Sequence, residues 1–161
     1  MDAPLRLSSV AHTEREWRAE LMGVQRNNFW HPSPSIGVLE TLVDQWFLDQ
    51  EVPENTESTL AIERVMDMTR DASPQTQLSF IRRAVEKAET DHQLAIIAAG
   101  PLEDLLSDHG PDVIDDVVAV SRQDPKFRRT MTGVWRQDMP DSVWQKIEKE
   151  QRACPEAQRL S

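Results

Sequence analysis

Apolar side chains recur along this chain at steps of three and four, interrupted by proline and asparagine, and that rhythm predicts a succession of short helices. Thr13 stands as an N-cap with Glu16 three residues on, and Trp17, Leu21 and Val24 follow at i, i+4 and i+7, so a helix is expected over 14–26. Asn27-Asn28 ends it, and the segment holding Pro32 and Pro34 cannot continue it because proline lacks the amide donor. Ser35 caps the next helix, whose Ile36, Leu39, Leu42, Val43, Trp46 and Phe47 make it the most amphipathic stretch of the chain. After a break at Val52-Pro53, a third helix over 57–70 carries Leu60, Ile62, Val65, Met66 and Met68.

Ser73-Pro74 is a cap followed by a first-turn proline and opens a helix to about Ala88, with Leu78, Ile81 and Val85 on one face. Asp91 is read as the cap of a nearly apolar fifth helix. Pro101 falls inside it, removes the hydrogen bond to Ile97 and crowds that carbonyl, which predicts a kink, since Leu102, Leu105 and Leu106 resume the spacing. His109-Gly110 closes that element. Pro111 opens a helix with Val113, Ile114, Val117 and Val120, where the run of valines is a weak signal for strand. Asp124-Pro125 starts a helix over 125–136 with Phe127, Met131, Val134 and Trp135, and Pro140-Asp141 starts the last, with Val143, Trp144 and Ile147.

The expected architecture is a compact all-α bundle of about eight short helices in one domain. Within it, 1–12 is a frayed start, 13–72 holds the N-terminal helices, 73–152 a further helical segment and 153–161 a tail. The pairs 74–88 with 91–107 and 112–123 with 125–136 recur about thirty-five residues apart, which suggests HEAT-like helical pairs in the C-terminal half.

Composition narrows the function. Of 161 residues, 18 are Lys or Arg and 28 are Asp or Glu, a net charge of −10. That excess argues against direct binding of a nucleic-acid backbone, which needs positive groups to displace counterions. Cys154 is the lone cysteine, so no intramolecular disulfide or cysteine-based zinc site is available. No apolar block marks a secretory signal, and Leu94 to Leu102 is about half a membrane span, so a cytoplasmic protein is expected, without membrane contact. The charge is uneven: residues 101–121 hold six acids and no base, whereas 122–161 are mildly basic and could fold back against them.

Residues 97–106 read Ile-Ala-Ala-Gly-Pro-Leu-Glu-Asp-Leu-Leu, followed by His109-Gly110, Asp124-Pro125-Lys126-Phe127 and Gly133-Val134-Trp135-Arg136. Over residues 75–150 this resembles an uncharacterised bacterial domain family of unknown function marked by an Ala-Gly-Pro-Leu-Glu motif and a downstream Val-Trp-Arg. The resemblance implies a helical fold and a bacterial origin, and no activity. Within the motif, Gly100, Pro101 and Leu102 read as a kink built for close helix packing. Glu103 would take freed backbone amides or an Arg partner, and Trp135 would be a core indole beside a surface cation at Arg136.

No catalytic constellation stands out. The four histidines lack partners at i+3 or i+4, and there is no phosphate loop, nucleophile elbow or calcium loop, so neither an enzyme nor a cofactor is expected. The acids are the better candidates. Asp104, Asp108, Asp112, Asp115 and Asp116 line one side of the 103–120 region, and Glu40, Asp44, Asp49, Glu51, Glu54 and Glu57 form a second patch. Such surfaces suit capture of a basic protein by complementary charge, with Phe29 and Trp30 as a possible aromatic anchor unless they pack inward. The expected function is therefore an acidic binding module, an immunity-type inhibitor that neutralises a basic bacterial toxin. The alternatives are a nucleic-acid mimic that inhibits a DNA- or RNA-binding protein, and a metal-dependent enzyme using Glu103, Asp104, Asp108 and His109.

Overall fold

The computed structural model describes residues 29–52 and 60–160, and among them the chain is helical with no strand. The helices are α1 (Ile36–Gln50), α2 (Leu60–Asp71), α3 (Pro74–Lys87), α4 (Asp91–Ile97), α5 (Glu103–Gln123), α6 (Pro125–Met131) and α7 (Asp141–Ala153). A π-turn, Ala98–Leu102, joins α4 to α5, and a 3₁₀ turn, Glu156–Gln158, follows α7. The helix expected over 14–26 lies outside the described residues. Counted as continuous runs, six helices are described, because 91–123 is unbroken where the sequence suggests two elements. His109 leaves helical geometry (φ −129°, ψ 15°) just ahead of Pro111, so the proline bends the helix without ending it.

Helix starts follow the sequence signals closely. Ser35 and Ser73 accept the amides of Val38 and Thr76, and Asp124 accepts those of Lys126 and Phe127. The cap of α4 is Thr90, not Asp91: the Thr90 hydroxyl accepts the Gln93 amide while the Gln93 side chain accepts the Thr90 amide. α1 is less one-sided than its spacing suggests, since Ile36 and Leu48 are exposed while Asp49 is buried.

The core runs through all seven helices. Its aromatic centre is Phe80 on α3, edge-on to Trp30 at 6.5 Å and to Trp46 at 5.8 Å. α3 packs against α1, α4, α5 and α6, and α5 packs against α7. That last contact depends on Gly110, where a Cβ would sit 2.9 Å from the Val143 side chain. Gly133 has a similar duty, since its Cβ would meet that of Ala98 at 2.9 Å. It stands just after α6, which stops at Met131 and not at 136 as its apolar spacing implies. The Gln151 side-chain amide donates to the carbonyls of Met131 and Val134, taking up acceptors that the ended helix leaves free.

Gly110→Ala is expected to destabilise by about 1–3 kcal/mol through overpacking against Val143. Val143→Ala in the same chain should restore part of that loss, the combined change being smaller than the sum of the single ones in urea unfolding.

Candidate functional site

The acidic residues of α5 begin at the π-turn. Pro101 has no amide to donate, and the chain answers with a wider turn in which the Glu103 amide donates to the carbonyls of Ala98 and Gly100. Gly100 is not there for close packing, contrary to expectation: nothing lies within 4 Å of where its Cβ would be. Pro101 and Leu102 are buried, and Glu103 is only 7% exposed.

Glu103 is committed. Its Oε2 accepts the backbone amide of Trp135 at 3.2 Å, so the partner is an amide of the 132–140 loop, neither an amide freed by the kink nor an Arg. The Trp135 indole itself is 74% exposed, which corrects its reading as a core residue. Its apolar position beside Val134 misled, because α6 has already ended and the loop turns the ring outward. The reverse correction applies to Trp30, which is 2% exposed and donates its indole N–H to the Arg64 carbonyl at 3.1 Å. Phe29 is buried too, with the Arg64 guanidinium 5.0 Å from its ring centre. Trp30 is a core residue and offers no surface anchor.

The two acidic patches differ. In the first helix, Glu40 lies 3.6 Å from Arg83 and Asp44 2.8 Å from Lys87, both cations being on α3, while Asp49 is buried and accepts from Gln45. Glu51 is exposed, and Glu54 and Glu57 lie outside the described residues. Glu40 and Asp44 are thus paired with the protein's own cations. Elsewhere Asp91 pairs with Arg129, Asp141 with Arg136, and buried Glu150 with Arg122. Of the α5 acids, only Asp115 has a basic partner among the described residues, Lys146 of α7 at 2.7 Å. Asp104, Asp108, Asp112 and Asp116, four residues apart and all exposed, have no basic partner among the described residues. The basic C-terminal region therefore covers little of the acidic middle.

Partial desolvation beside the groove, then the neighbouring carboxylates of Asp108 and Glu103, raise the Asp104 carboxyl above its ordinary pKa although the residue is exposed on its outer side. Asp104 also lines an apolar groove of about 310 Å³ with residues of α1, α2, α4 and the π-turn. Among the described residues no group of three or more His, Cys, Asp or Glu side chains is placed to hold a metal ion, so Glu103, Asp104, Asp108 and His109 do not converge as the metal-enzyme alternative requires. No helix of the described residues is long and apolar enough to cross a membrane.

The sequence model of a family of unknown function (DUF6869) matches residues 49–154. The match reaches further towards the N-terminus than the 75–150 resemblance, taking in all of α2. No curated protein and no solved structure matches the chain.

Two outcomes follow from this geometry. Glu103→Ala should cost about 1–3 kcal/mol by stranding the Trp135 amide and should speed hydrogen exchange there, whereas Trp135→Ala should change stability by less than about 0.5 kcal/mol. For Asp104, a raised folded-state pKa means that its contribution to stability is present in full below the unfolded value and is lost as pH rises through the folded one. Asp104→Asn removes that loss, so its melting temperature relative to wild type should increase as pH rises from below the ordinary carboxylate range to neutral.

Proposed function

Since the chain belongs to this family of unknown function, which carries no activity over to it, we propose a reading built on its own surface: a protein-binding module that recognises a basic protein partner through the acidic row of α5. One contrast supports the reading. The fold supplies Arg or Lys to acids on α1, α4 and α7, yet leaves Asp104, Asp108, Asp112 and Asp116 unneutralised among the described residues. Like charges at i and i+4 repel by about 0.2–0.5 kcal/mol per pair, a cost that an external cationic surface would reverse. The finer form is an immunity-type inhibitor in a bacterial cytoplasm that neutralises a basic toxin by covering it. A HEAT-like pairing of helices over 74–150 is its scaffold, for which the packing of α3 against α4 and of α5 against α6 is the support.

The nucleic-acid mimic has less behind it. A helix carrying an acid every fourth residue has one charge per about 6 Å of axis, against one per about 3.4 Å along a DNA strand. The neighbouring α7 sets Lys146, a cation, against Asp115 of the same helix as the row.

The test is affinity capture from the organism's own lysate at low and moderate salt, with Asp108→Lys/Asp112→Lys/Asp116→Lys beside wild type. A basic partner should be retained by wild type and lost by the variant. With the purified pair, association at low salt should slow more than about tenfold, and growth protection on co-expression should vanish. Absence of a basic partner, or one that ignores the reversal, would overturn the proposal.

A further inference from the structure

The groove beside Asp104 is apolar on its walls and acidic at one edge. Trp46, Ile62 and Met66 contribute to it from α1 and α2, and Ala99, Gly100 and Pro101 from the π-turn. Its volume of about 310 Å³ is at the lower end of ligand pockets, which run from about 300 to 1,000 Å³. That suits one or two apolar side chains better than a cofactor. Met66 is 71% exposed, and methionine adapts its shape to what it contacts.

Gly100 tells the same story. Gly110 and Gly133 are required by a neighbour within 3 Å, but Gly100 faces open space. A larger side chain there would meet no neighbour at its Cβ, and Gly100 is itself part of the groove's lining. The lining carries no Lys or Arg, and its one ionisable side chain, Asp104, is also the first acid of the unpaired row. Apolar socket and acidic row are therefore contiguous.

We propose that this groove seats a bulky apolar side chain of a basic amphipathic peptide segment of the partner, whose Lys or Arg residues lie along Asp104 and Asp108. The inference rests on the binding-module reading and adds the anchor to it. Charge complementarity selects this occupant: an acidic or neutral segment would leave Asp104 and Asp108 unpaired or repelled at the edge of the contact. The apolar socket supplies affinity that a solvated row alone cannot, because exposed ion pairs contribute at most about 1 kcal/mol each.

The probe is a short synthetic amphipathic helix of Leu and Lys, with its Leu and Glu counterpart as control, titrated into the full chain carrying labelled methyl groups. The Met66 and Ile62 methyl signals should move with the Lys peptide and stay still with the Glu peptide. Gly100→Leu, which fills the groove, and Met66→Lys, at an exposed position where folding is insensitive, should each weaken the Lys peptide about tenfold or more. If these variants bind as wild type while Asp108→Lys/Asp112→Lys/Asp116→Lys does not bind, the anchor is refuted and the acidic row stands. If the Lys peptide does not bind wild type, or if neither set of variants changes its affinity, the anchor and the row both fall.

Discussion

A proline in the middle of an indispensable helix shapes this molecule. The run from Asp91 to Gln123 must remain helical to keep Leu94, Ile97, Leu102, Leu105, Leu106, Val113 and Val117 in the core, all of which are buried. Pro101 cannot donate to the carbonyl four residues back, so the helix widens into a π-turn and then resumes. The turn places Glu103 inward, where its carboxylate holds the Trp135 amide, and leaves Asp104 outward. It also sets Gly100 beside open space, so the helix defect, the bound loop and the groove have a common origin.

Charge is distributed by the same fold into two kinds. Acids near α3, α6 and the end of the chain meet cations from distant parts of the sequence, as with Lys87 and Asp44 or Arg129 and Asp91. Buried Glu150 receives Ser121 and Arg122, a polar contact that ties α7 to the end of α5. The acids of α5 stand apart because, among the described residues, the one cation that pairs with any of them is Lys146 of α7. An acidic sequence segment becomes an acidic surface only where the tertiary structure withholds such partners.

Glycine use separates packing from opening. Gly110 and Gly133 let α7 and the π-turn come closer than any side chain would permit, which fixes the positions of α5 and the 132–140 loop. The loop in turn presents an exposed Trp135 whose backbone is held by a buried carboxylate, so its ring is displayed from a fixed support.

The sequence by itself determined what depends on neighbours a few residues away. Helix starts at Ser35, Ser73 and Asp124, the survival of the helix through Pro101 and the exposure of the aspartates on α5 are local consequences of capping, missing amides and apolar spacing. Tertiary structure decided everything that needs a contact between distant segments. Trp30 went into the core and Trp135 to the surface because burial is set by which elements close over a residue, and periodicity cannot see them. In the second acidic patch Glu40 and Asp44 meet Arg83 and Lys87, some forty residues away in the chain, and the groove exists only where α1 and α2 meet the π-turn. Such pairings are invisible in a one-dimensional pattern, since the free energy that selects them comes from surfaces that meet only after the chain has folded.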